Sequence, residues 1–166
     1  MSSGKFYGGV AALVWHPPQN RYLLLRRALS KDFAPGVWEC VTGRVEQGEG
    51  FTEAVRREVQ EEIGVAVSPI YILGTTHFYR GTAVPQNELL GVVYLCALTD
   101  ADPEAICLSS EHDAHCWVTA AEAGVLLSAD DPSTQWVWRL MAQVEGIRPL
   151  LPPALIDYYR QHGFDL

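Results

Sequence analysis

The sequence predicts an α/β sandwich, in which strands pack against helices around a shared core. Three observations carry that expectation. Apolar runs of strand length, several of them β-branched, recur at residues 7–15, 21–27 and 89–98. Residues 51–63 contain no glycine or proline and space their apolar side chains as a helix does. The last third of the chain reads as helices joined by proline-containing turns.

Residues 7–15 form the first expected strand. His16, Pro17, Pro18, Gln19 and Asn20 supply a turn, and residues 21–27 a second strand that makes a hairpin with the first. Residues 30–36 are a loop ending in Pro35-Gly36, and 37–42 a short strand that delivers the chain to the helix at 51–63. Beyond that helix, 65–77 is a β-rich stretch interrupted at Pro69 and Gly74, and 81–87 is a loop. Residues 89–98 follow as a strand whose continuous apolarity predicts burial on both faces. Residues 100–103 are a turn, 109–113 a polar loop and 114–118 a short strand. Thr119 caps a helix running through Leu127, and Asp131-Pro132 supplies a further helix start. Trp136, Val137, Leu140, Met141 and Val144 give that helix an apolar core face. A proline-rich connector at 146–153 leads to a last short helix at 154–162, with Gly163 at its end. No repeat or low-complexity tract interrupts this order. One domain over residues 1–166 is expected, with 152–166 as a C-terminal helical extension.

Hydrophobic residues make up 48% of the chain and charged residues 19%, an ordinary globular composition. A net charge of −8 argues against affinity for nucleic-acid polymers, since nothing offsets phosphate repulsion over a broad surface. It leaves a nucleotide-like small molecule open as substrate, because a bound metal inverts the local field at an acidic site. Cys40, Cys96, Cys107 and Cys116 form no C-x-x-C pair and read as buried free thiols, which points to a reducing, cytoplasmic compartment. Residues 1–9 lack the pattern of a signal peptide. The longest apolar run, 89–98, falls short of the ~18–20 residues that span a bilayer, so no membrane association is expected. The apolar C-terminal half is compatible with a homodimer.

The chemistry concentrates in residues 43–65, GRVEQGEGFTEAVRREVQEEIGV. Gly48 and Gly50 break regular structure around Glu49. On the helix that follows, Glu58, Glu61 and Glu62 fall within roughly 100° of one another. Phe51, Val55, Val59 and Ile63 form an adjoining apolar stripe, and Gly64 stands where a helix C-terminal glycine is expected. One face therefore seats the helix while its edge presents three carboxylates. Like charges so spaced destabilise an isolated helix, and cations would neutralise them. Donors that are all oxygen point to a hard metal, Mg²⁺, with Mn²⁺ as a substitute. For three glutamates alone, a solvated acidic face is the alternative.

The full pattern is more specific. Gly43, Glu49, Arg57-Glu58-Val59, Glu61-Glu62, Gly64 and Val65 fit G-x5-E-x7-R-E-U-x-E-E-x-G-U, with U aliphatic. Chance would produce that match with a probability on the order of 10⁻⁸. The segment resembles the Nudix box. That resemblance implies a Nudix α/β/α sandwich with a mixed β-sheet. It also implies metal-dependent hydrolysis of a nucleoside diphosphate linked to another group. By the same resemblance Glu58 and Glu62 are metal ligands with Glu61 beside them, and the Gly43 carbonyl oxygen is a backbone ligand. Arg57 becomes a fixed cation that orients Glu49 and the neighbouring carboxylates. Glu46 and Glu53 lie outside the fixed positions and are expected in solvent.

A downstream segment, Ser109-Ser110-Glu111-His112 followed by His115-Cys116-Trp117-Val118, is similar to one found in many Nudix members. The similarity makes Glu111 a further metal ligand or general base and leaves His112 and Trp117 structural. Glu61 or Glu111 would then take the proton of the attacking water. Arg26 or Arg27 is the candidate phosphate contact. Strand alternation lets only one point inward, and the family's L-x-x-R-R-A pattern favours Arg26. Trp38 and Tyr79, with Phe78, are candidates for stacking on a base. The W-x-x-V-T-G-x-V-E-x-G-E run from Trp38 resembles dihydroneopterin-triphosphate pyrophosphatases, which favours a nucleoside-triphosphate-like substrate and release of pyrophosphate. Arg80 stands where ADP-ribose hydrolases place a proline, and residues 81–83 where diadenosine-polyphosphate hydrolases place a tyrosine. Those two substrate classes are alternatives, as is a catalytically silent nucleotide sensor.

Overall fold

Within residues 4–98 and 102–166, which the computed structural model describes, seven strands form one sheet. The strands are β1 (Tyr7–His16), β2 (Arg21–Arg27), β3 (Trp38–Glu39), β4 (Val41–Arg44), β5 (Ser68–Tyr79), β6 (Glu88–Ala97) and β7 (His112–Val118). The helices are α1 (Phe51–Ile63), α2 (Ala120–Ala123), α3 (Gln135–Ile147) and α4 (Pro153–His162). The main path runs β3-β2-β1-β6-β5, with β4 added to β1 and β7 to β2. β1 and β6 are parallel from Tyr7↔Leu89 to Trp15↔Ala97, and the other pairings are antiparallel, so the sheet is mixed.

The three layers follow from side-chain alternation on strands that are apolar on both faces. Val10, Ala12, Val14, Leu23, Leu25, Tyr94 and Cys96 face α1 and pack with Val55, Val59 and Ile63. Ala11, Leu13, Tyr22, Leu24, Val93 and Leu95 face the other way and pack with Val137, Leu140, Met141 and Val144 of α3. Each fully buried Val, Leu or Ile contributes about 1.5–3 kcal/mol, so α1 is seated mainly by Val55, Val59 and Ile63. The expected stripe is corrected at its start: Phe51 is 38% exposed, and the wholly buried Ala54 takes its place against the core.

Other boundaries move for local reasons. The short strand expected at 37–42 is two strands, because β3 pairs with β2 while β4 pairs with β1. Pro69 and Gly74 fall at register irregularities of β5, which extends to Tyr79 rather than ending at residue 77. As an edge strand β5 tolerates a proline, which removes no bond from a neighbour. α2 is a single turn capped by Thr119, whose Oγ1 accepts from Glu122 N at 3.2 Å. At the next helix Asp131 Oδ1 instead accepts from Ser133 N, making a turn that delays α3 until Gln135. Residues 1–3 and 99–101 lie outside the described residues, and with them parts of the N-terminal segment and of the turn expected at 100–103. Cys40 and Cys96 are buried and Cys116 is half-buried, whereas Cys107 is exposed, contrary to the expectation for all four. Among the described residues, no helix is long and apolar enough to cross a membrane.

Candidate active site

The box helix is held from both ends and from beneath. Gly64, at φ +72°, closes α1 in the left-handed conformation and donates its N–H to the Gln60 carbonyl at 3.0 Å. Two further carbonyls of the last turn are taken by the chain ahead of β7: Cys107 N donates to Ile63 O and Ser109 N to Glu62 O, at 3.0 and 2.9 Å. This docking brings Glu111, nearly 50 residues downstream of Glu62, to the acidic edge of α1.

On that edge Arg57 gathers the carboxylates. Its Nε and Nη2 donate to the two oxygens of Glu49 at 2.8 and 3.0 Å, a bidentate pair. Its Nη1 reaches Glu58 Oε1 at 3.0 Å and Glu61 Oε2 at 3.2 Å, and Nη2 also donates to Arg44 O. The hydrogen bonds from Arg57 hold the Glu49 carboxyl below the usual carboxylate range. Burial pushes the Glu58 carboxyl upward despite the same guanidinium. Glu58 Oε1 also accepts from Arg44 N at 3.1 Å. A Cβ on Gly43 would overlap the Glu58 carboxyl group, so glycine there leaves the space that the carboxylate fills. Gly43→Ala is therefore expected to displace the flexible end of Glu58. Stability should fall by about 1 kcal/mol and Mn²⁺ affinity by at least about tenfold, read by calorimetric titration. Unchanged affinity would show that Glu58 is not held by this space.

Glu62 is different in kind. It is 4% exposed, and its Oε2 has no hydrogen-bond partner. Burial, and then the charges of Glu39, Glu58 and Glu111, push its carboxyl up to about 9. Beside it His112 Nδ1, also unpartnered, lies 3.6 Å from Glu62 Oε2. His112 Nε2 is 3.1 Å from Glu39 Oε1, which accepts from Arg27 Nη1 at 3.0 Å. Glu111 is paired with Lys31 at 2.9 Å, and that bond lowers its carboxyl.

Among the described residues, no three His, Cys, Asp or Glu side chains converge at metal-ligand spacing. Glu58 and Glu61 are turned to Arg57, and Glu111 to Lys31. The donor set nevertheless fits a hard cation. Glu62 is buried with its Oε2 unbonded, about one helical turn from Glu58, whose carboxylate lies against Gly43, and both line the same cleft.

An open cleft of ≈ 690 Å³ runs past these groups, lined by Gly43, Glu58, Glu61, Glu62 and Glu111. Glu49 and Arg57 are not in its lining and act from behind Glu58. Arg27 lines it, whereas Arg26 pairs with Asp113 at 2.6 Å outside it. The strand alternation that permits only one inward arginine selects the second, at the register shift where β2 meets the start of β7. The same alternation on β5 places Thr76 and Phe78 on the cleft wall, with Arg80 just past the end of the strand, and leaves Tyr79 off it. Trp38 packs against the core on the α3 side and does not line the cleft. Lys31, Phe33, Glu39 and Trp136 do line it, and sequence reading passes over all four as site residues. Only Glu39 carries a local signal, as a lone charge inside the apolar run 37–41.

The NUDIX domain family matches residues 6–142. The isopentenyl-diphosphate Delta-isomerase of Kocuria rhizophila is 35% identical over 52% of this chain and 49% of its own length. The enzyme of the same name from Klebsiella pneumoniae strain 342 is 30% identical over 84% of this chain and 74% of its own. The chain thus spans about half the length of the first relative and about three-quarters of the second. Among solved structures, a MutT protein from Methanosarcina mazei aligns with a TM-score of 0.67 at 23% identity, covering 87% of this chain and 99% of that one. The E. coli dihydroneopterin triphosphate pyrophosphohydrolase aligns with a TM-score of 0.61 at 22% identity and the same coverage. Both likenesses speak to the fold.

Proposed function

This chain belongs to the Nudix family, and from that membership we propose that it is a divalent-metal-dependent pyrophosphohydrolase of a nucleoside triphosphate or a triphosphate of similar build, such as dihydroneopterin triphosphate. The observation that carries the reading is Glu62, a buried carboxylate with one oxygen left unbonded, lining a cleft wide enough for a nucleotide.

The Gly43 carbonyl, Glu58 and Glu62 would hold Mg²⁺ or Mn²⁺, with Glu61 and Glu111 alongside. Such an ion, when bound, neutralises diphosphate charge and lowers the pKa of water. Arg27 and Lys31 line the same cleft and supply fixed positive charge for phosphate oxygens. Glu61 or Glu111 takes the proton as water attacks phosphorus and the bond to the bridging oxygen breaks. Glu111 lines the cleft in its ionised form, but its ion pair with Lys31 lowers its basicity, so it takes a proton once that pair is released to substrate phosphate. Phe33, Phe78 and Leu89 give the cleft an apolar portion, where a planar ring can shed its hydration.

The test is a turnover screen with Mg²⁺ over dihydroneopterin triphosphate, deoxynucleoside triphosphates, ADP-ribose, diadenosine polyphosphates and isopentenyl diphosphate. The expected result is release of pyrophosphate from a triphosphate, abolished by chelation. Binding without hydrolysis across the panel would favour a nucleotide sensor and overturn the enzymatic reading. Isomerisation of isopentenyl diphosphate without hydrolysis of the others would move the chain to the activity for which its two relatives are named.

A further inference from the structure

The helix that carries Glu58, Glu61 and Glu62 begins without a cap of its own. Its N-cap residue is Gly50, extended at φ −82° and ψ 165°, which has no side chain to satisfy the first free N–H groups. Glu53 Oε2 reaches back to Gly50 N at 3.2 Å, which is one half of a capping box. The other half comes from far along the chain. Thr52 N donates to both carboxylate oxygens of Asp165, at 2.9 and 3.2 Å. Phe164 N in turn donates to Thr52 Oγ1 at 3.2 Å.

Asp165 is not a loose end that happens to touch the helix. Gly163, at φ +70°, turns the chain out of α4. Phe164 then stacks on Tyr159 with ring centroids 4.1 Å apart and meets Tyr94 edge-on at 5.4 Å. Ile156 of α4 packs on the α3-side core and Phe164 on the α1-side core, so this segment bridges the two layers along β5. A Cβ on Gly50 would lie 2.5 Å from Asp165 Oδ2. A side-chain cap can therefore come from position 50 or from position 165, but not from both. All of this segment lies beyond the family-matched residues 6–142.

We propose that Asp165 is a positioning residue for the metal-binding edge, a cap supplied across the fold where Gly50 has none. Gly50 adjoins Glu49, which holds Arg57 by two hydrogen bonds, and Arg57 holds Glu58 and Glu61. Fixing the first turn of α1 thereby fixes the chain of contacts that sets the carboxylates. The inference rests on the metal-dependent reading above.

The test is a double-mutant cycle with two readouts, amide hydrogen exchange at Thr52 and calorimetric Mn²⁺ titration. Asp165→Ala should speed exchange at Thr52 and weaken Mn²⁺ binding about fivefold, the scale of one lost cap. Asp165→Asn keeps an acceptor oxygen and should stay near wild type. Gly50→Ser alone should also weaken binding, because Asp165, anchored through Phe164, stays in place and contends with the new side chain for the same space. The combined Gly50→Ser, Asp165→Ala protein should recover, since the introduced hydroxyl then caps the helix from its own N-cap position. Wild-type exchange in Asp165→Ala would overturn the cap. Faster exchange with unchanged Mn²⁺ affinity would overturn the positioning role, and additive loss in the double variant would overturn the mutual exclusion. If the wild-type protein binds no Mn²⁺, the metal reading falls and with it the positioning role, while exchange at Thr52 still decides the cap.

Discussion

Glu62→Gln is expected to lower kcat by roughly two to three orders of magnitude, the scale on which one preorganised charged partner contributes, while leaving a folded protein. Glu62 is buried, lacks a hydrogen-bond partner at Oε2 and sits among Glu39, Glu58 and Glu111. Such a carboxylate gains most from a cation, since the ion removes both the desolvation cost and the repulsion of its neighbours. Glutamine keeps the shape and one oxygen but brings no charge. A variant with wild-type kcat at saturating Mg²⁺ would take Glu62 out of the metal site.

The same residue sets a pH dependence whose sign can be worked out. Burial pushes its carboxyl from an ordinary 4.5 to about 9 in the folded, metal-free protein. Between those values the folded chain holds a proton that the unfolded chain has released. Its contribution to stability is therefore fully present below about 4.5 and declines as pH climbs toward about 9. Glu62→Gln should remove that decline, so the difference in melting temperature between variant and wild type should grow with pH. A divalent ion displaces the proton, so Mg²⁺ should raise the wild-type Tm more at the alkaline end of this window. Parallel pH profiles for the two proteins would contradict the assignment.

α1 was legible because everything that defines it is local. Its Gly-free run, apolar spacing and closing Gly64 place it at Phe51–Ile63, as expected. The covered sheet was legible at β6, whose continuous apolar run predicts burial on both faces, whereas its mixed pairing came only with the family resemblance. What the sequence hid depends on partners distant along the chain. Whether Arg26 or Arg27 faces the cleft is decided by the register between β2 and β7, including its shift between the two arginines. Trp38 looks like a stacking residue in isolation, but the β2–β3 pairing turns it into the α3-side core. Asp165 could not be read as a helix cap, because its partner amide is 113 residues away and no spacing rule joins the two. Local chemistry marked the carboxylates, while non-local packing chose the groups that address them.

Arg57→Lys should be nearly as damaging as loss of a carboxylate, although charge is conserved. Arg57 donates to Glu49 through two nitrogens, to Glu58, to Glu61 and to the Arg44 carbonyl. These acceptors lie in several directions around one planar fork, and its side chain is only 23% exposed. Lysine offers a single ammonium on a flexible stem and cannot reproduce the bidentate pair. With Glu49 poorly satisfied, the loop before α1 loosens. Glu58 loses the contact that offsets its desolvation, and its raised carboxyl should rise further. The stability cost is about 2 kcal/mol, the scale of a charged hydrogen-bonding group left short of a partner. Turnover should fall by about two orders of magnitude, because the carboxylates remain present but are no longer held to the required geometry. Mg²⁺ saturation should restore part of Tm, since a cation at Glu58 and Glu62 relieves the same repulsion, but should not restore kcat. An Arg57→Lys protein with wild-type kcat would show that Arg57 supplies only charge to this edge and that its geometry is dispensable.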